Sequence, residues 1–328
     1  MSKINNITAI LHYLTPLKNP SAFDLNMAID AGFQIASYTA VELAEVRSFT
    51  QDAMFSRPPD HAKRSCIFIG GREVGLAMEM LATARDARLE PFVVSIMADP
   101  NGAFTTAAAL IAVAEEQLRR LATPLAQSKI AIFGAKGGVG FIAGLIAAKQ
   151  GARVTLVAHN PESRTILAER IAFFREKFPA VFGSVEPAVA LAADDGAKAE
   201  IMGDHMGLIS AGPAGVELIA PGLLQAARGL RLVLDVNAVP PLGVAGLGLF
   251  DLGVRLASNP EVLGVGALAI GNVKYQCQQR MLRNLATGDQ PEVYDFHQAF
   301  VIAQALVAEE SRRDSLTGIA TSVMDSVE

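Results

Sequence analysis

The stretch Lys129-Ile-Ala-Ile-Phe-Gly-Ala-Lys-Gly-Gly-Val-Gly140 constrains this chain more than any other. An apolar, β-rich run meets a cluster of glycines. It continues through the alanine-rich pattern of Phe141 to Gln150 and returns in a second apolar run, Ala152 to Ala158. The alternation is that of a βαβ unit with a glycine turn. Glycines let the backbone approach a pyrophosphate closely, and the first N–H groups of the following helix supply positive charge to hold it. The unit therefore predicts a dinucleotide site carried by Gly134, Ala135, Lys136, Gly137, Gly138, Val139 and Gly140.

The spacing departs from G-x-G-x-x-G, which would need glycine at 135, where alanine stands between Gly134 and Lys136. Lys136-Gly-Gly-Val-Gly140 is similar to the deviant phosphate loops of some ATPases, but Phe141 and Ile142 occupy the places after the last glycine where that chemistry needs Lys and Ser or Thr, which argues against ATP hydrolysis; the alternative to phosphate binding is a purely structural glycine turn. At the end of the second strand an NAD-selective site carries Asp or Glu against the adenosine ribose. Here the chain offers Val157-Ala-His-Asn160 and then Arg164. With no carboxylate to repel a 2′-phosphate, His159, Asn160 and Arg164 leave NADP as acceptable as NAD. Asn160 or Ser163 equally suits the start of a helix over Pro161 to Phe178.

With 328 residues, 51% of them hydrophobic, the chain can fill two cores. Its net charge of −5 and lack of a basic tract argue against nucleic acid as partner, leaving a small metabolite. Cys66 and Cys277 fit neither a disulfide framework nor a metal spacing, so no metal is expected. The apolar part of Met1 to Leu14 is too short for a signal peptide, and longer apolar stretches are broken by glycine and charge. A soluble cytoplasmic protein without membrane contact, assembling as a homo-oligomer, is the expectation.

Upstream of the glycine turn the pattern is again mixed. Strands are expected at Ile7–Leu14, Ser65–Ile69 and Pro91–Met97, and helices at Ser21–Ala31, Val74–Ala87 and Thr105–Leu121. Downstream, strands are expected near Ser184, at Met206–Ser210, at Arg231–Asp235 and at Val265–Ile270. Helices are expected at Glu217–Ala227, from about Asn272, and at Phe296–Glu309. The fold class is α/β with two domains, an N-terminal α/β substrate domain at 1–125 and a Rossmann-type domain at 126–290. The helix within 291–312 is expected to pack back on the first. Ligand-type residues follow several strands of the second domain: Ser210, Ala211 and Gly212, then Asn237 and Ala238, then Gly271 and Asn272. Doubly wound sheets bind cofactors at such ends.

Six segments carry a resemblance: Leu14-Thr-Pro-Leu-Lys18, Ser21-Ala-Phe-Asp-Leu-Asn-Met-Ala-Ile-Asp-Ala-Gly32, Ala98-Asp-Pro-Asn-Gly102 with Thr105-Thr106, Ser210-Ala-Gly-Pro-Ala-Gly215, Asp235-Val-Asn-Ala-Val-Pro-Pro-Leu-Gly243 and Gly266-Ala-Leu-Ala-Ile-Gly-Asn-Val-Lys-Tyr-Gln276. Together they resemble the NAD(P)-dependent methylene-tetrahydromethanopterin dehydrogenases of C1-metabolising bacteria, and more distantly methylene-tetrahydrofolate dehydrogenase. The resemblance implies hydride transfer from a methylene group bridging two pterin nitrogens to NAD or NADP, giving the methenyl cation, with a tetrahydromethanopterin-type pterin or its dephospho form as substrate.

Such chemistry needs no general base, because the cation is delocalised over both nitrogens; it needs positioning and a tolerant electrostatic setting. Asp24 is the candidate acceptor for a pterin's amino and ring N–H groups, whereas Asp30 suits helix or turn structure. Asn101 and Gly102, with Thr105 and Thr106, are candidates to line the pterin cleft while Asp99 serves a turn. Lys274 is expected to orient or polarise the pterin, so Asp24 and Lys274 are the candidate catalytic residues. Two other readings stay open: a dehydrogenase of hydroxy or amino acids, for which the strand ends offer few histidines, and a pterin- or nucleotide-binding protein without turnover.

Overall fold

The computed structural model describes residues 7–324, with side chains to 313. From the N-terminus the elements run β1 (Ile10–Leu14), α1 (Ala22–Asp30), β2 (Gln34–Tyr38), α2 (Val46–Phe55), α3 (Pro59–Ala62), β3 (Ser65–Ile69), α4 (Val74–Asp86), β4 (Ser95–Ala98) and α5 (Ala103–Arg120). After a short connection come β5 (Lys129–Phe133), α6 (Gly138–Lys149), β6 (Arg153–Ala158), α7 (Pro161–Lys177), β7 (Ala188–Leu191), α8 (Asp195–Asp204), β8 (Gly207–Ser210), α9 (Pro221–Ala226) and β9 (Leu232–Asp235). The chain finishes with β10 (Leu252–Leu256), β11 (Asn259–Val265), α10 (Ala267–Thr287), β12 (Val293–Tyr294) and α11 (Phe296–Met324).

Two sheets result. The first is five-stranded and parallel in the order β12-β4-β3-β1-β2; the second is seven-stranded in the order β10-β11-β9-β8-β5-β6-β7. In the second sheet only β10 runs antiparallel to its neighbour, and β7 through β11 give the 3-2-1-4-5-6 strand order of a dinucleotide-binding fold. Each sheet reverses winding direction once, between β1 and β3 and between β5 and β8. Crevices at those points open at the C-terminal strand ends, where doubly wound sheets take their ligands. The sequences fit these positions: β3 reads Ser-Cys-Ile-Phe-Ile and β4 Ser-Ile-Met-Ala, and every residue is buried, as strands covered on both faces require.

Several local expectations shift. The Val265–Ile270 run is not a strand. The strand is β11, and α10 begins at Ala267 behind Gly266, whose backbone is so close to Gly248 and Leu249 that a Cβ would overlap their carbonyl oxygens. Gly271, Asn272 and Lys274 are therefore helical. The strand expected from Pro91 starts at Ser95, the helix expected from Glu217 starts at Pro221, and the strand near Ser184 lies at β7. β2, α2, α3, α8, β10 and β12 have no counterpart among the expected elements. β2 is a half-exposed edge strand and β12 spans two residues, so neither carries a long apolar run.

α11 lies along α5 and contacts α10, with the ring of Phe296 edge-on to Phe104 at 5.3 Å and both fully buried. β12, just before it, pairs with β4, so the chain returns to the first sheet after completing the second. Because Phe296 fills a closed site, Phe296→Ala should lower unfolding free energy by about 3–5 kcal/mol, measured by denaturant titration. A loss under about 1 kcal/mol would mean that the α11 docking contributes little.

Candidate active site

Gly134 follows β5 with φ +77°, and a Cβ there would lie 2.3 Å from the Ala211 carbonyl oxygen and 2.5 Å from the Gly212 nitrogen. The turn after β5 is thus pressed against the end of β8, which brings Gly134, Ala211 and Gly212 together. Gly140 is packed less tightly: an added Cβ would lie 3.0 Å from Ala135 Cα and 3.2 Å from Ala211 Cβ. Gly137 differs. Its backbone is ordinary for any residue (φ −69°, ψ 154°), and an added Cβ would meet only the Gly134 oxygen at 3.3 Å and the Ala211 oxygen at 3.8 Å. Space remains in front of it. The first intrahelical bond of α6 runs from Phe141 N to Gly137 O, so the amides of Gly138, Val139 and Gly140 have no carbonyl within their own helix. A glycine turn with free amides and open space fits a pyrophosphate.

At the end of β6, His159 is exposed. Its ring nitrogens lie 3.1 Å from Asn160 Nδ2 and 3.4 Å from Ser163 Oγ. Asn160 Oδ1 accepts from Ser163 N at 2.8 Å, so this side chain caps α7, while Arg164 is exposed one turn on. Asn237 is also engaged. It accepts from Gly215 N and Val239 N and donates to Pro241 O, clipping two loops together, while its own N–H donates to Asp235 Oδ1 at 3.1 Å. Ser210 is buried against Asp235 and Gly243, whereas Ala238 is exposed. Asn272 points elsewhere, into a groove with Gln117, Phe250, Leu252 and Leu268, and Gly271 has no neighbour at its Cβ position.

On the first sheet's side, Asp24, Gly102, Thr106 and Lys274 come together. Asp24 is 2% exposed, and both its oxygens have protein partners: Tyr13 OH donates to Oδ2 at 3.2 Å and Gln278 Nε2 to Oδ1 at 2.9 Å. Lys274 Nζ donates to Gln278 Oε1 at 2.6 Å, completing a relay from Tyr13 through Asp24 and Gln278 to the ammonium. Nζ also lies 3.8 Å from the centroid of the exposed Phe23 ring, and Lys274 Cε is 3.3 Å from where a Gly102 Cβ would be. Asp99 is fully buried and caps α5, accepting from Phe104 N, Thr105 N and Thr105 Oγ1. Thr105 is thereby structural. Thr106 is half-buried beside Gly102, and Asn101 is exposed in a left-handed conformation at φ 52°.

Burial pushes the Asp99 carboxyl up to about 6, against the pull of Lys274 and the Thr105 bonds. Burial likewise raises Asp24, opposed by its bonds from Gln278 and Ser21, and lowers Lys274, opposed by Asp99 and Asp24. Two buried carboxylates face one ammonium. Among the described residues no group of three or more His, Cys, Asp or Glu side chains could hold a metal ion.

The two sites adjoin. A Cβ on Gly138 would lie 3.0 Å from Val74 Cγ1 and 3.3 Å from Ala103 Cβ, so the N-terminus of α6 abuts those of α4 and α5. Gly102, next to Ala103, is the residue that touches Lys274.

Sequence reasoning did not single out Tyr13, Phe23 or Gln278. Gln278 was accessible as the i+4 partner of Lys274 on one helix face, but Tyr13 and Phe23 carry no signal apart from position.

A two-sheet α/β fold with a glycine turn at the cleft is a dinucleotide-binding architecture. The solved shikimate 5-dehydrogenase of Listeria monocytogenes, in complex with shikimate and NAD, superposes with a TM-score of 0.50 over 88% of this chain and 94% of its own, at 12% identity. That likeness concerns the fold. Residues 22–101 match the family described as methylene-tetrahydromethanopterin dehydrogenase, N-terminal. The chain is 43% identical to the NAD(P)-dependent methylenetetrahydromethanopterin dehydrogenase of Methylorubrum extorquens, over 90% of this chain and 97% of that protein. It is 26% identical to the Bifunctional protein MdtA of the same organism, over 88% and 95%. The chain belongs to the methylenetetrahydromethanopterin dehydrogenase family.

The two glycines separate by substitution. Gly137→Val should fold normally, with its side chain in the open space, and lose dinucleotide affinity by about tenfold or more. Gly134→Val, which must displace the Ala211–Gly212 backbone, should lower the melting temperature as well. Calorimetric titration and thermal unfolding of both variants check this, and normal affinity in a folded Gly137→Val would remove the pyrophosphate from the turn.

Proposed function

We propose that this protein oxidises methylene-tetrahydromethanopterin, or its dephospho form, to the methenyl cation while reducing NAD or NADP. The observation that carries the reading is the junction at Gly138 and Ala103, which seats the Lys274 site directly beside the open glycine turn. The family membership supports it. We assign the pterin to a domain of residues 1–125, joined by the helix within 291–312, and the dinucleotide to residues 126–290.

The bound dinucleotide would accept hydride at its nicotinamide C4. The methylene C–H bond breaks with both electrons, and the nitrogen lone pairs share the resulting positive charge, so no proton need leave. The protein's task is to hold the two carbons about 3–3.5 Å apart and to favour the cation. The amides of Gly138, Val139 and Gly140 and the backbone of Ala211 and Gly212 serve the pyrophosphate; Lys136, His159 and Arg164 serve the adenosine end, with Asn160 holding the start of α7 and the His159 ring beside it. Lys274, Gly102, Thr106 and the amide of Asn101 serve the pterin, with the Phe23 ring as an apolar wall. Asp24 acts through Gln278 to orient Lys274 rather than touching the pterin itself.

With Asp24 and Asp99 ionised and Lys274 protonated, the site carries one net negative charge, which offsets the charge formed on the pterin. Protonation of Asp99 removes that charge, so kcat/KM should fall as pH drops through about 6, where its titration is placed. Asp99→Asn should abolish that limb; an unchanged profile would take Asp99 out of the electrostatics. The stability sign is opposite: with a folded value above the ordinary 3.8, Asp99 contributes stability at low pH that is lost as pH rises through about 6.

An absorbance assay with methylene-tetrahydromethanopterin, methylene-tetrahydrofolate and a hydroxy acid, each with NAD and NADP, tests the whole reading. NAD(P)H formation from the hydroxy acid alone would overturn it. His159→Asp, which places a carboxylate at the ribose, should shift the kcat/KM ratio toward NAD; an unchanged ratio would move the ribose elsewhere. Assembly as a homo-oligomer, supported by the exposed apolar side chains of Phe250, Leu252 and Val254 around β10, and a cytoplasmic setting complete the proposal. Among the described residues no helix is long and apolar enough to cross a membrane.

A further inference from the structure

Arg170 lies in the middle of α7, outside every motif above, yet its guanidinium reaches the glycine turn. Nη1 donates to the Lys136 carbonyl oxygen at 2.7 Å, and the guanidinium carbon is 5.3 Å from the centroid of the Phe141 ring at the base of α6. Nη2 is 3.9 Å from Glu73 Oε2, on the residue preceding α4. The side chain is only 20% exposed, whereas Glu73 is 75% exposed, so the carbonyl and the ring are its principal partners.

The Lys136–Gly137 peptide is fixed from both ends. Its carbonyl accepts from Arg170, and its N–H donates to Gly134 O at 3.0 Å. That peptide leads into the first residues of α6, whose amides are unpaired within the helix. Left unheld, a turn this rich in glycine samples many backbone conformations, and ordering it on binding would cost affinity. A guanidinium supplies a planar donor that lies over the Phe141 ring within cation–π distance while it bonds the carbonyl, and it adds positive charge behind a loop that meets an anion. α7 holds Arg170 in place, because Phe173, one turn on, packs 3.0 Å from the Cβ position of Gly75 on α4.

We infer that Arg170 is a positioning residue for the dinucleotide: it holds the glycine turn in its binding conformation through the Lys136 carbonyl, without itself touching the ligand. The inference rests on the dinucleotide reading of that turn. Arg170→Met keeps the apolar stem and removes the donor and the charge, and Arg170→Lys restores a donor without the planar group. Calorimetry with NADP and with NAD, steady-state kinetics and thermal unfolding are measured for the wild type and both variants. The expected result is an NADP Kd raised about tenfold in Arg170→Met, the scale of one lost hydrogen bond to a charged group. Arg170→Lys should lie between it and the wild type, with kcat at saturating cofactor and the pterin KM little changed.

An Arg170→Met protein that folds and binds both nucleotides like the wild type overturns the inference. So does one in which pterin KM, kcat and melting temperature deteriorate together with Kd, since that is the signature of general structural damage. If Arg170→Met does not fold, an Arg170→Lys protein with a raised nucleotide Kd at wild-type melting temperature supports the inference, and one with wild-type affinity, whatever its melting temperature, overturns it. Wild-type protein that binds neither nucleotide would sink the dinucleotide reading itself, a result distinct from all of these.

Discussion

Close approach at Gly138 is the constraint on which the rest depends. One hydrogen in place of a side chain lets the N-terminus of α6 sit against Val74 and Ala103, so that three helix N-termini from two sheets meet at one point. Those helices start where the strands before them end, and the C-terminal edges of both sheets therefore face a common cleft. A methyl group at 138 would meet the Val74 and Ala103 side chains at 3.0 and 3.3 Å, so a few tenths of an ångström of adjustment would be needed for it to fit. The geometry explains why α/β units with separate winding points offer one site between them rather than two unrelated crevices.

The chemistry on the first sheet's side is electrostatic rather than proton-transferring. Burial destabilises each of the three charges alone, which is why Asp24 and Asp99 are raised and Lys274 lowered, yet each also favours the charged form of its opposite partner. The hydrogen bonds determine where the charge sits. Asp99 is held by three donors at the head of α5, and Asp24 by Tyr13 and Gln278. Of the three, only Lys274 is not fully buried, and its ammonium lies against the exposed Phe23 ring and beside Gly102. Under the proposed reading the fixed carboxylates form the field and the ammonium is the group that meets the pterin.

Much of this was legible in the sequence. The glycine turn was readable because each step of β5, turn, α6 and β6 follows from local pattern, and β3, the most deeply buried of the first strands, showed as a continuous apolar run. Pairings across long separations were not readable. Asp24 stood out as a carboxylate near a helix start, but whether its oxygens face a ligand or Gln278, 254 residues away, depends on how α10 crosses α1. Likewise Asn160 and Asn237 stood out as ligand-type residues at strand ends, and the structure has both side chains bonding their own loops, because an amide at such a position serves the backbone as readily as a ligand. The boundary at Gly266 was missed because Ala267-Leu-Ala-Ile270 fits a strand or a buried helix equally well.

α10 ties the two halves of the problem together. It starts directly after β11 in the second sheet, yet Lys274 and Gln278, one turn apart along it, complete the site whose carboxylates belong to the first sheet. Gln279 Nε2, one residue further, donates to the Met27 carbonyl of α1 and fixes the helix against that side. The ammonium is thus carried by one sheet and oriented by the other. In a reaction that needs two carbons held about 3–3.5 Å apart and no proton moved, such an arrangement makes the site's competence depend on the relative placement of the sheets. A domain shift of an ångström would misalign Lys274 as surely as it would separate the reactants, so the same contacts that set the distance also set the field.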